Sequence, residues 1–150
     1  MMMRSWIRAL FTSSASRTIR SVPRRGRLNL EALEDRWCPA TFTVFSTLDD
    51  GSVGTLRWAV TQANTNAGPD TIQFAFSAPQ SITLGPAQLQ LTDTTGRTTI
   101  TGPGVTVNGA GLTRVFQVDA GVSATFSGLT ITGGAIIGNG AGLYNLGNTT

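Results

Sequence analysis

The side chains after residue 40 that could take part in chemistry are mostly carboxylates. They are five aspartates, namely Asp49, Asp50, Asp70, Asp93 and Asp119, and the 150-residue chain contains no His and no Lys. An imidazole base and an amine nucleophile are therefore excluded. The chemistry that remains is that of a positioned carboxylate pair, as in glycoside hydrolysis.

Asp93 and Asp119 are the pair that such chemistry would need. Their separation along the chain would bring them together if the chain consists of stacked repeats, because it matches the length of one repeat. The alternative, which we favour, is two solvated acids at corners of the fold. Asp49-Asp50 precede Gly51 and Asp70 follows Pro69, where turn and helix-end roles explain them. We therefore predict no catalytic residue, no metal ligand, no cofactor-binding residue and no cofactor in this chain.

Two arginines, one cysteine and two glycine-rich loops are weaker candidates. Arg97 and Arg114 could contact an acidic sugar, but isolated arginines more often keep a surface soluble. Cys38 is the single cysteine, so it forms no intramolecular disulfide, and we interpret it as an incidental free thiol. The loops 102–104 and 138–142 lack the Lys-Ser/Thr ending of a phosphate-binding loop and are predicted to be corners.

The net charge of +3 hides an uneven distribution. Residues 1–40 contain eight Arg against three acidic residues, whereas residues 41–150 contain three Arg against five Asp. A basic leader could bind nucleic acid or anionic lipid through its charge. It contains no recognisable nucleic-acid module, however, and export explains the asymmetry as well. We predict a largely disordered leader over 1–40 with one short helix, no nucleic-acid partner and, because no stretch reaches about 18 apolar residues, no transmembrane span.

Three triplets of the form apolar-Thr-apolar recur at a nearly constant spacing. Their central threonines are at positions 83, 106 and 130, in Ile82-Thr83-Leu84, Val105-Thr106-Val107 and Leu129-Thr130-Ile131. Alternation with period 2 indicates strands whose apolar positions face a core and whose Thr faces outward. A repeat of this length is typical of one coil of a parallel β-helix. The pattern predicts that 77–150 form the first coils of such an all-β solenoid.

Two further segments are expected to stack in the same way, since each recurs after a similar length of chain. Leu89-Gln90-Leu91 is predicted to lie under Phe116-Gln117-Val118. Thr99-Ile100 is predicted to lie under Thr125-Phe126. These two spacings are slightly longer than those of the triplets, and the difference belongs to corners, where insertions are tolerated.

Residues 41–76 are predicted to form an N-terminal cap. Residues 41–45 alternate as a strand, and 70–76 resume as another. Between them, apolar residues recur on one helical face, and Thr55 is a plausible N-cap; the apolar positions are Leu56, Ala59, Val60 and Ala63. A helix here would cover the open end of a solenoid, whose terminal coil otherwise exposes unpaired strand edges.

This block closely resembles the opening module of the CSLREA-type right-handed parallel β-helix proteins, which have a pectin-lyase-like solenoid. The matching residues are Asp49, Gly51, Gly54, Leu56-Arg57, Ala59, Ala63-Asn64, Gly68 and Asp70-Thr71-Ile72-Gln73-Phe74. Where that family carries Cys-Ser-Leu-Arg-Glu-Ala, this chain reads Gly54-Thr55-Leu56-Arg57-Trp58-Ala59. The resemblance implies a right-handed solenoid. The loss of the Cys and the Glu favours a packing role for the block over a disulfide or charge role.

The end of the leader resembles an N-terminal signature, LEALEDR followed shortly by PA, that precedes many large secreted or surface proteins of planctomycete bacteria. The matching residues are 30–36 and Pro39-Ala40. The resemblance implies export to the cell envelope or beyond.

A third resemblance lies near the other end of the chain. Residues 133–145 resemble the Gly-Gly-rich, GLYN-like turns of polymorphic outer-membrane and adhesin-type β-helices.

These observations lead us to expect a non-catalytic, secreted or cell-surface scaffold of the adhesin type. Its polar solenoid faces would contact glycans or cell-envelope components. The sequence stops without a polar capping segment, so we also expect a truncated solenoid that self-associates through its open last coil. The alternative is the N-terminal part of a polysaccharide lyase or glycoside hydrolase whose active site lies beyond residue 150.

Overall fold

The computed structural model describes residues 38–150, so the predictions of disorder and of a short helix in the leader before Cys38 lie outside the described residues. Nine strands and one helix make up the described part. In chain order they are β1 (Ala40–Val44), α1 (Leu56–Thr65), β2 (Asp70–Phe74), β3 (Ser81–Thr83), β4 (Leu89–Leu91), β5 (Arg97–Asn108), β6 (Phe116–Val118), β7 (Ser123–Thr132), β8 (Leu143–Asn145) and β9 (Asn148–Thr149).

Every strand pairing between residues 38 and 150 is parallel, and the strands build three faces. The first face stacks β1, β2, residues 97–101 of β5, residues 123–127 of β7, and β9. The second face stacks β3, residues 105–108 of β5 and residues 129–132 of β7. The third face stacks β4, β6 and β8. Because the chain visits the three faces in turn, it forms the right-handed parallel β-helix that the sequence predicts.

The core consists of ladders of inward side chains. On the first face, Ile72, Ile100 and Phe126 stack in register, and on the third face Leu89 pairs with Phe116. All of these are fully buried except Phe126, which lies against the core and is partly buried. The predicted stacking of residues 89–91 under 116–118, and of 99–100 under 125–126, is confirmed.

The triplets stack on the second face, with one correction to their register. Val105 pairs with Leu129 and Val107 with Ile131, as the spacing of Thr106 and Thr130 predicts. Ile82 pairs with Val107 rather than Val105, so the preceding coil is longer than the spacing of the first two triplets indicates. A displacement by two positions returns each side chain to the same face of the strand. The alternating pattern is therefore compatible with either register and does not choose between them.

α1 closes the N-terminal end of the solenoid. Thr55 caps it as predicted, since its Oγ1 accepts a hydrogen bond from the amide of Trp58 at 3.2 Å. The predicted apolar face is buried and packs against β1, β2 and β4; it consists of Leu56, Ala59, Val60 and Ala63. The helix ends at Asn66, whose extended backbone turns the chain towards β2.

A glycine-rich corner joins the first and second faces. The register of β5 against β7 shifts between Thr101 and Val105, at the loop predicted to be a corner. Gly128 lies on the next coil with φ +61°, and a Cβ there would overlap the carbonyl oxygen of Gly102. Only a glycine therefore lets these two corners stack so closely.

Candidate functional site

The outward side chains of the third face form a polar row. Gln90, Gln117 and Tyr144 stack on successive coils, because their strand neighbours point into the core. Residues 143–145 are predicted from sequence to lie in a glycine-rich turn, but they form β8, and its pairing with β6 brings Tyr144 into the row. We term this row and its neighbours the third-face strip, which comprises Gln88, Gln90, Arg114, Gln117, Asp119 and Tyr144.

Arg114 organises the strip, and only 9% of it is exposed. Its Nε donates to the carbonyl of Gly140 at 2.9 Å, and its Nη2 donates to the carbonyl of Asn139 at 3.0 Å. Its Nη1 donates to Oε1 of Gln88 at 3.1 Å and to Oε1 of Gln117 at 2.8 Å. A planar guanidinium supports such a fork, which a lysine could not form.

The Arg114 guanidinium carbon also lies 4.4 Å from the centre of the Tyr144 ring, within the range of a cation–π contact. The interpretation of Arg114 as a mere solubilising surface arginine is therefore wrong, because its side chain is buried and bonded to four acceptors. Arg97 is exposed, as that interpretation requires. The sequence feature that predicts the strip is the pair of segments 89–91 and 116–118. In each of them a glutamine stands between two inward apolar residues and therefore points outward.

Amide groups continue the network across the strip. Gln88 Nε2 donates to Gln117 Oε1 at 2.8 Å, and Gln117 Nε2 donates to Asp119 Oδ1 at 2.7 Å. Gln90 Nε2 donates to the other oxygen of Asp119 at 2.7 Å. The charges of Arg114 and Asp119 balance, so the strip is polar and neutral.

A cleft of about 250 Å³ opens beside the strip, between α1 and β4. Its walls carry amides, hydroxyls and one guanidinium, but no carboxylate; the lining residues are Arg57, Val60, Thr61, Asn64, Gln88, Leu89, Gln90 and Thr92. These groups donate and accept hydrogen bonds, and none of them takes up a proton near neutral pH. The cleft can therefore hold a neutral polar molecule, but its walls lack a general acid or base.

Arg57 fixes one wall of the cleft. Asp49 holds its guanidinium through two contacts, Nε to Oδ1 at 2.9 Å and Nη2 to Oδ2 at 2.7 Å. The remaining donors bond the carbonyls of Ala87 at 2.6 Å and of Gln88 at 3.1 Å. Asp49 Oδ2 also accepts from the amide of Gly85 at 2.8 Å. The pair fastens the helix to the loop that leads into β4.

Asp50 and Asp70 have local roles in the cap. Asp50 Oδ1 accepts from the amide of Ser52 at 2.9 Å, and hydrogen bonds from Ser52 lower the pKa of Asp50. Asp70 Oδ1 accepts from Asn66 Nδ2 at 2.7 Å and from the amide of Ala40 at 3.2 Å. Burial is the main cause that raises the pKa of Asp70, despite these two hydrogen bonds.

Asp93 and Asp119 do not form a carboxylate pair. The amide of Asp119 bonds the carbonyl of Leu91, which places Asp119 opposite Thr92 rather than Asp93. Alternate residues face opposite sides, so Asp119 points out to Gln90 whereas Asp93 is buried. The expectation of two solvated corner acids is therefore wrong for Asp93.

Three further findings bear on the site. Cys38 is exposed and its thiol is free. Among residues 38–150, no group of three or more His, Cys, Asp or Glu side chains is placed to hold a metal ion. In the same part of the chain, no helix is long and apolar enough to cross a membrane.

The fold and the strip together define the class of protein, a right-handed parallel β-helix with a neutral, amide-rich lateral face. A comparison of the chain with protein-family models, curated proteins and solved structures gives no match.

Proposed function

We propose that this chain is an exported, non-catalytic β-helix scaffold that binds neutral glycans of a cell surface or envelope through the third-face strip and the adjoining cleft. The observation that carries the proposal is the composition of the cleft wall, which offers amides and hydroxyls without a carboxylate. Sugar hydroxyls pair with such groups as both donors and acceptors. The balanced charges of the strip favour a neutral polysaccharide over an acidic one.

Resemblance supports the wider assignment. The helix α1 and residues 70–74 carry most of the residues that match the CSLREA-type module, and that module opens secreted solenoids. The LEALEDR-like segment supports export. Fusion of residues 1–40 to a reporter enzyme tests this part: we expect the reporter outside the cytoplasm of a planctomycete host, and a reporter that stays inside would contradict it.

Glycan binding is tested by screening the full chain against immobilised neutral oligosaccharides and measuring the affinity of a hit by calorimetry. Gln90→Ala and Thr92→Val remove polar groups from the cleft and are each expected to weaken binding about two- to tenfold, since each removes a hydrogen bond worth about 0.5–1.5 kcal/mol. Gln73→Ala, on the exposed side of the first face, is the matched control. Equal affinity of all variants, or cleavage of the oligosaccharide, would contradict the proposal.

We further propose that the coil of residues 129–146 mediates self-association. Its apolar residues Leu129, Ile131 and Leu143 are only partly buried, and Ile137 is fully exposed. Exposed apolar side chains that cluster on a surface mark sites of protein interaction. A second copy of the chain would cover these side chains.

A further inference from the structure

Three buried oxygens in the described residues lack a hydrogen-bond partner, and they belong to one corner of the solenoid. They are Asp70 Oδ2, Asp93 Oδ2 and Thr98 Oγ1. The residues that carry them are 2%, 7% and 1% exposed, respectively. An unpaired polar group in a dry site costs about 1–3 kcal/mol, so three of them at one place call for a ligand.

The strand register places two of these side chains side by side. Asp70 and Thr98 are direct partners on the adjacent strands β2 and β5, and both point inward, as do Ile72 and Ile100 two residues further along. The Thr98 hydroxyl is therefore a buried, unpartnered group on the same inner ladder as the Asp70 carboxylate. This is an observation independent of the acidic residues themselves.

The turn of residues 93–96 brings Asp93 to the same corner. Asp93 Oδ1 accepts from the amide of Thr95 at 2.8 Å and from its hydroxyl at 2.6 Å. The hydroxyl of Thr95 in turn accepts from the amide of Gly68 at 2.9 Å. The two turns touch, because a Cβ on Gly96 would overlap the backbone of Gly68. The turn that contains Asp93 is thereby fixed against the residues that lead into β2.

The corner carries negative charge without a basic partner. Asp49 and Arg57 form the one ion pair among residues 38–150. The neutral donors at the corner, from Asn66, Ala40 and Thr95, all bond to Oδ1 atoms and leave both Oδ2 atoms free. Two ionised carboxylates here need a positive charge.

We propose that Asp70, Asp93 and Thr98 form a binding site for one calcium ion, held by the two Oδ2 atoms and the Thr98 hydroxyl. Calcium takes oxygen ligands, including carboxylates and carbonyls, in flexible geometry, and its charge balances the two carboxylates. Calcium completes a shell of six to eight oxygens in flexible geometry, so these three protein oxygens would form part of its shell, whereas magnesium demands near-ideal octahedral geometry. The ion would bind the start of β2 to β5 and so clamp the cap to the first full coil.

The proposal is tested on the full chain, first freed of metal with a chelator and then titrated with calcium chloride. Calcium is expected to raise the melting temperature by several degrees, because an ion that binds only the folded chain stabilises it. Magnesium chloride at equal concentration should raise it less. Calorimetry should give one calcium per chain.

Three variants locate the site. Asp93→Asn and Thr98→Val each remove one ligand oxygen and should reduce calcium affinity at least tenfold, while the calcium-free variants stay folded because the first removes a buried charge and the second a buried unpaired hydroxyl. Asp119→Asn alters an outward carboxylate and should leave calcium binding unchanged. The proposal is overturned if calcium shifts no melting temperature, if Thr98→Val binds calcium as the wild type does, or if Asp119→Asn is the variant that loses it.

Discussion

The side-chain amide of Asn64 pairs with the backbone around Gln90 as a neighbouring strand would. Its Nδ2 donates to the carbonyl of Gln90 at 2.7 Å, and its Oδ1 accepts from the amide of Thr92 at 2.9 Å. Within residues 38–150, β4 is the first strand of the third face, so its outer edge has no strand partner there. A residue on α1 thus covers backbone groups that would otherwise invite another chain.

Asn64→Ala should therefore lower the free energy of unfolding by about 1–3 kcal/mol, since it removes the hydrogen bonds to the Gln90 carbonyl and the Thr92 amide, each worth about 0.5–1.5 kcal/mol. The loss should appear even though Ala favours a helix over Asn by about half a kcal/mol. Chemical denaturation measures it. Thr61→Ala, an exposed change on the same helix, is the control, and an equal effect of both variants would rule out edge covering.

The inward and outward register of the second face can be tested with four aspartates. Val107→Asp should cost more than about 3 kcal/mol, because it buries a charge without a partner. Ile131→Asp should cost less, since Ile131 is only partly buried. Thr130 is exposed, so Thr130→Asp should change the free energy of unfolding by about 0.5 kcal/mol or less. Thr106 is half-buried, so the loss from Thr106→Asp should be larger than that from Thr130→Asp and smaller than that from Val107→Asp. Equal losses from all four changes would show that the register is wrong.

Arg114→Lys should destabilise the chain although it keeps the charge. Lysine cannot reproduce the fork that bonds Asn139, Gly140, Gln88 and Gln117, so acceptors at this buried position lose their donors. We expect a loss of about 1–3 kcal/mol in urea denaturation. Arg97→Lys, at an exposed position, should be neutral. A neutral Arg114→Lys would contradict the organising role of this residue.

Acid should stabilise the chelator-treated chain through Asp70. A carboxyl whose pKa is raised in the folded state binds its proton more tightly there than when unfolded, so its contribution is present at low pH and lost as the pH rises through the folded pKa. Asp70→Asn should remove this dependence in the pH range above the ordinary pKa of an aspartate, about 4. Because Asp50 shifts in the opposite direction, the comparison is of wild type with Asp70→Asn at each pH. Parallel pH profiles would contradict the assignment.

Sedimentation tests self-association through the coil of residues 129–146. The wild-type chain should form dimers or larger species at concentrations of the order of tens of micromolar, typical of marginal interfaces. Ile137→Gln removes a fully exposed apolar side chain from this coil and should shift the equilibrium towards monomer without loss of stability. Val53→Gln, at an exposed position near the cap, should not. A wild-type chain that is monomeric under these conditions would contradict the proposal.

The solenoid, its cap and the stacking of most of its coils could be predicted from the sequence. Alternation with period 2 fixes which side chains face inward, and the helical spacing from Leu56 to Ala63 fixes the face that α1 buries. Both are local properties of the chain. The pairing of Ile82 with Val107 was not predictable, because a displacement by two positions preserves the alternation and only the length of the intervening corners selects the register.

The chemistry of individual side chains was decided only by the tertiary structure. Asp93 and Asp119 are equivalent candidates in the sequence, yet a difference of one position along the coil turns one carboxylate into the core and the other towards Gln90. Arg114 is likewise expected from sequence to be a surface charge, but in the structure it lies at the centre of a hydrogen-bond network. Its acceptors come from three different coils, which the local sequence does not reveal. Local sequence sets the direction of a side chain relative to its strand. What that side chain meets depends on how successive coils are stacked, and that is a long-range property.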